Sequence, residues 1–143
     1  TTSQQFRIRD IADALPGLSA DAGAAERERA LHYAARERYA RLIARFSPAA
    51  ERDSEEARFA HRRYAKIMTL DSGHHLRAAL AMLHAGQQLT SAEVAAIVVG
   101  AERGQVASAD VQVLIAHPER LPAPDTAAEI RAYLVESGNR QLL

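Results

Sequence analysis

The stretch Thr90-Ser91-Ala92-Glu93-Val94-Ala95-Ala96-Ile97-Val98-Val99-Gly100-Ala101-Glu102-Arg103-Gly104 decides the fold class. Its centre, Val94–Val99, holds enough β-branched residues to pass as a strand. What stands in front of it argues otherwise. Thr90 followed three residues later by Glu93 is a capping box, which satisfies two of the free N–H groups that open a helix. The alanines that interleave the valines favour helix as well. We therefore read a helix from Thr90 to about Arg103, with the turn at Gly104. The other strand candidate, Val111–Ile115, falls to the same argument. Ser108 can cap a helix that runs to about Ala116 and ends at His117-Pro118.

Working outward, the rest of the chain is helical in pattern. A short helix is expected over Gln4–Leu15, carrying Phe6, Ile8, Ile11 and Leu15, and ended by Pro16-Gly17. A long one follows over about Ala20–Phe46, where Leu31, Ala35, Tyr39, Leu42 and Phe46 keep one face. Ser47-Pro48 reads as a cap and restart, opening a single helix to about Leu70. Asp71-Ser72-Gly73 breaks the chain before a helix over about His74–Ala85, stopped by Gly86. Thr126-Ala127-Ala128-Glu129 repeats the capping-box pattern and opens a helix to about Glu136, before a tail at Asn139–Leu143. The fold expected is all-α: a single-domain helical bundle over 1–143, with a long helical hairpin over about 20–70 packed against four shorter C-terminal helices over 71–143.

Composition narrows the function classes. The chain has 143 residues, 18 basic and 18 acidic, and no cysteine. Disulfides, thiolate metal sites and cysteine nucleophiles are thereby excluded together. A neutral chain is not a generic polyanion binder. Lys66 is the only lysine beside seventeen arginines, which reflects coding bias and not a nucleic-acid signal. No apolar run approaches the roughly 20 residues of a membrane span. The polar stretch Thr1–Asp10 lacks the apolar core of a signal peptide, so the expected location is cytoplasmic.

Chemistry-bearing motifs are absent. His32, His61, His74, His75, His84 and His117 are scattered, with no paired Glu-x-x-His as in bundle metal sites. Asp71-Ser72-Gly73-His74-His75 gathers triad residue types, but triads converge from distant segments, and Asp-Ser before a helix is a cap. No phosphate-cradling or nucleophile-elbow motif occurs. We therefore expect no catalytic residue, no metal site and no cofactor. The expected function is non-enzymatic: a helical module that binds a protein partner or a second copy of itself, as a homodimer. Its contact residues, or failing that its core, are Leu31, Tyr39, Leu42, Phe46, Phe59, Tyr64 and Ile67.

The competing expectation is nucleic-acid binding. Segment 90–117 resembles a helix-turn-helix in outline, with Ala96, Gly100 and Val106 at the positions of the small residue, the turn glycine and the buried aliphatic. Arg103, Gln105, Ser108 and Gln112 would then face the duplex, and Arg38, Arg41 and Arg45 would add a phosphate-binding stripe. The blander account of the arginines is compensation across the hairpin, with Glu26 and Glu28 near Arg62 and Lys66, and Arg45 near Glu51 and Glu55.

Overall fold

In the computed structural model, residues 23–143 are described; the helix expected over Gln4–Leu15 lies outside them. The described chain is all helical, with no strand. Seven α-helices follow one another: α1 (Ala24–Arg45), α2 (Ala49–Arg52), α3 (Glu55–Leu70), α4 (Ser72–His84), α5 (Ser91–Glu102), α6 (Ser108–Ala116) and α7 (Thr126–Glu136). Single turns of 3-10 helix lie at Pro118–Arg120 and Arg140–Leu142.

Both strand candidates are helices, and α5 is the centre of the bundle. Every residue from Val94 to Ala101 is buried, and α1, α3, α4 and α6 all pack on it. A helix that is apolar on every side is stable only when other helices enclose it. The expected capping box is formed: the Thr90 side chain meets the Glu93 backbone N–H, and Thr90 N–H donates to Glu93 Oε2 at 3.0 Å. Beyond the last turn, Gly104 takes φ +73°. There Gly104 N–H reaches Ala101 O and Gln105 N–H reaches Gly100 O, closing the helix with a Schellman pair.

Gly100 is therefore not the turn glycine that the helix-turn-helix outline requires. It sits inside α5, and the turn comes four residues later. Its role is steric: a Cβ there would stand 2.9 Å from Leu76 Cδ1 and 2.9 Å from Val106 Cγ2. The missing side chain lets α4 and the α5–α6 connection close onto the central helix.

Several local expectations change. The helix expected from Pro48 to Leu70 is broken in two. α2 lasts four residues, and Ser54 restarts the chain by accepting a bond from Ala57 N at 3.3 Å. Glu55 and Glu56 in the first turn of α3 complement that start. Asp71 caps α4 through His74 N–H, so the suspected triad cluster is a helix start. Ser108 lies inside α6, behind Ala107 at the cap position. Thr126 forms no capping box. It is fully buried, accepting from Ala123 N and donating to Phe46 O, while Glu129 turns to Arg45.

α1 packs along α3 more extensively than any other helix pair does. Tyr39, Leu42 and Ile43 of α1 and Phe46 just beyond its end are core residues, with Phe46 at 0% exposure and edge-on to Tyr133. Two predictions follow from this packing. Gly100→Val should lower stability by about 1–3 kcal/mol through overpacking, read as a lower urea midpoint at unchanged slope. Phe46→Glu should abolish the far-UV helical signal, because it buries a carboxylate with no partner in the core.

Candidate functional site

Two surfaces stand out, and both belong to α3. The first is its outer face. Phe59, Ile67 and Leu70 are exposed, at 66%, 49% and 67%, and Tyr64 at their flank is also exposed. Phe59, Arg63, Ile67 and Leu70 recur at four-, four- and three-residue spacing, which puts them on one stripe. The side buried against the bundle carries His61, Ala65 and Met68. α3 thus shows solvent its bulkiest apolar side chains and gives the core mostly smaller ones. Arg62, Arg63 and Lys66 stand among the exposed residues, with no ion-pair partner among the described residues. Arg63 lies over the Phe59 ring at 6.0 Å, and Tyr33 of α1 is exposed as well.

The second surface is a cleft of about 620 Å³ bounded by α3, α4, the start of α5 and the α2–α3 connection. Its wall is mainly apolar, from Ile43, Met68, Met82 and several alanines. Its polar groups include His61, His75, Glu51, Glu56 and Glu93. His61 is 6% exposed and its Nδ1 is buried without a hydrogen-bond partner.

The tautomer of His61 follows from its neighbour. Ser47 is fully buried, and its hydroxyl donates to Ile43 O at 2.6 Å. That bond uses the only hydrogen on the oxygen. In the 3.4 Å contact between Ser47 Oγ and His61 Nε2, the oxygen can therefore only accept. Nε2 carries the proton, and Nδ1 presents a bare lone pair. Burial lowers the His61 pKa below its ordinary value, with Glu51 opposing, so the ring is neutral at neutral pH.

The residues read from sequence fall into separate groups. Tyr39, Leu42 and Phe46 are buried and cannot serve as contact surface, whereas Phe59, Tyr64 and Ile67 are exposed and Leu31 is half-buried. Arg38 and Arg45 are both engaged by carboxylates of this chain, Arg38 part-buried and Arg45 towards the surface. Arg38 donates to Glu102 and to the Tyr133 hydroxyl, both at 2.6 Å, and that hydroxyl donates to Glu102 at 2.6 Å. Burial works against the charge on Arg38, but Glu102 and Tyr133 outweigh it and raise its pKa. Burial and the bond to Glu102 push the Tyr133 hydroxyl up to about 12. Arg45 pairs with Glu129 and Glu136 of α7, not with Glu51 or Glu55. Arg103 acts on the Tyr39 hydroxyl, and Asp110 meets His84 at 2.9 Å. Arg41, Gln105, Ser108 and Gln112 are exposed.

Sequence reasoning left His61 among the scattered histidines, and it passed over Glu102, Tyr133 and the Met68–Met82 pair. A histidine three residues from Tyr64 and seven from Met68 on a periodic helix is a signal of burial, but not of the space beside it. Among the described residues no cluster of three or more His, Asp or Glu is arranged to hold a metal, and no helix is long and apolar enough to cross a membrane. No protein-family model, curated protein or solved structure matches this chain.

The buried neutral imidazole sets a pH dependence. Its folded-state pKa lies below the unfolded value, so protonation favours unfolding. Its contribution is full above about pH 6.5, weakens as the pH falls below that, and is lost once the pH has passed the folded-state pKa. The urea midpoint of the wild type should therefore fall more steeply between about pH 7 and pH 5 than that of His61→Gln.

Proposed function

We propose that this chain is a non-enzymatic helical interaction module whose contact face is the outer side of α3. One observation carries the reading: Phe59, Ile67 and Leu70 face solvent on the same helix that buries Ala65. Apolar side chains of that size are kept in contact with water on a folded surface chiefly where another molecule covers them. The interleaved Arg62, Arg63 and Lys66 specify the partner's chemistry. An amphipathic helix with an acidic flank would bury its apolar stripe on α3 and set its carboxylates against these cations. The nucleic-acid reading has less support, because Arg38 and Arg45 are held in internal ion pairs and Gly100 lies within a helix. A second copy of the chain is a weaker candidate for the same face, because its α3 would bring cations against cations.

The reading is tested with the Phe59→Ser/Ile67→Ser variant. Wild type should bind a labelled acidic amphipathic helical peptide, and the double variant about tenfold more weakly, at unchanged helicity and melting temperature. A charge-reversed peptide should not bind. Equal binding by variant and wild type overturns the proposal, as does tighter binding of duplex DNA than of the acidic peptide. Sedimentation equilibrium then asks about self-association; a dimer that dissociates in the double variant would make the second copy the partner.

A further inference from the structure

The cleft beside α3 has a chemistry of its own, distinct from the exposed face. Its volume lies within the roughly 300–1,000 Å³ usual for small-molecule sites, and its wall is mainly apolar with a few polar groups. The charged groups of that wall are one-sided. Glu51, Glu56 and Glu93 stand in it, and among the described lining residues there is no lysine or arginine. The start of α5 also opens here, and a helix start ordinarily favours an anion. Glu93 already meets that demand through the Thr90 N–H. A second, independent feature is the lone pair on His61 Nδ1, buried without a donor in the residue that forms the cleft's inner wall. Leaving such an acceptor unsatisfied costs free energy that an entering N–H would recover. Finally, the chain contains two methionines, Met68 and Met82, and both line the cleft. Their unbranched, polarizable side chains adapt to varied apolar shapes.

We propose that the cleft between α3, α4 and the start of α5 binds a small primary ammonium carried on an apolar body. The body lies against Met68, Met82 and Ile43. The ammonium faces the carboxylates of Glu51 and Glu56, and a turn of the His61 ring, whose Nδ1 is closed to water before the ligand enters, lets it donate there. A neutral alcohol of the same shape would keep the apolar contact and lose the charge, and a carboxylate would meet like charge.

The two methionines make the site directly readable. In protein labelled with ¹³C at the methionine methyls, both resonances come from residues that line this cleft. The probes are 4-phenylbutylamine, 4-phenylbutanol and 4-phenylbutyrate, titrated at neutral pH. The amine should shift both methyl signals saturably, with the alcohol binding about tenfold more weakly and the carboxylate not at all. Glu51→Gln/Glu56→Gln changes two exposed residues, so the fold should be retained, and the amine should fall to the affinity of the alcohol. His61→Phe should weaken the amine and the alcohol alike, because a hydroxyl can also donate to Nδ1; if that variant does not fold, the glutamine pair still decides. Phe59→Ser/Ile67→Ser should bind the amine as wild type does, which separates this site from the outer face of α3. Methyl signals that do not move with the amine overturn the proposal. So do equal affinities for the three probes, or an amine preference that survives in the glutamine pair.

Discussion

A helix enclosed on all sides imposes the architecture. Eight consecutive residues of α5, from Val94 to Ala101, are removed from water. At the usual value of about 25 cal/mol per Å² of apolar surface, that burial is a dominant driving term, and it requires neighbours in every direction. α1, α3, α4 and α6 supply them. The small residues Ala95, Ala96, Gly100 and Ala101 let those neighbours approach closely. Gly100 is the extreme case, because Leu76 and Val106 occupy the place of its side chain.

On the central helix itself, charged side chains stand only at the two ends. At its start, Glu93 closes the cap and joins the wall of the cleft. At its end, Glu102 places a carboxylate where the helix dipole is already negative, an unfavourable position by itself. Arg38 and Tyr133 offset it with three hydrogen bonds that tie α1, α5 and α7 together. Such a network is worth keeping only when every member is satisfied, and each of these three groups is. Arg45 repeats the brace further along α1, reaching Glu129 and Glu136 while stacking over the Tyr133 ring. The arginines that looked like a phosphate stripe are in large part the ties between the first long helix and the C-terminal ones.

Element type was legible in the sequence because it depends on local signals: caps at Thr90 and Asp71, stops at Gly86 and Gly104, and helical periodicity in α1. The break at Asp53-Ser54 was legible too, since Ser54-Glu55-Glu56 is a cap followed by an acidic first turn, but the continuous periodicity across it concealed it. What could not be read is which periodic face meets which neighbour. Tyr39 and Phe59 sit on comparable stripes, yet one is in the core and the other in solvent. Partner choice among charges failed for the same reason. Arg45 lies four residues or more from several candidate carboxylates in sequence, and its actual partners are 84 and 91 residues away. Thr126 shows the limit most clearly, because a tertiary bond to Phe46 O overrode a local motif that was complete in sequence.

The position of α3 follows from the enclosure of α5. α1 and α4 take most of the surface next to the central helix, and α3 is packed chiefly on α1. It contributes His61, Ala65 and Met68 to the interior, with Ala57, Ala60 and Thr69 half-buried beside them. A helix in that position could carry a fully polar outer face at no cost to the fold. This one carries Phe59, Ile67 and Leu70 there, and it places on its inner flank a histidine whose acceptor nitrogen the fold leaves unsatisfied. Neither feature serves the stability of the isolated chain: the first exposes apolar surface to water, and the second buries a polar atom without a partner. Under the two proposals, contact with a second molecule would relieve both, on two flanks of one helix that meet at Tyr64.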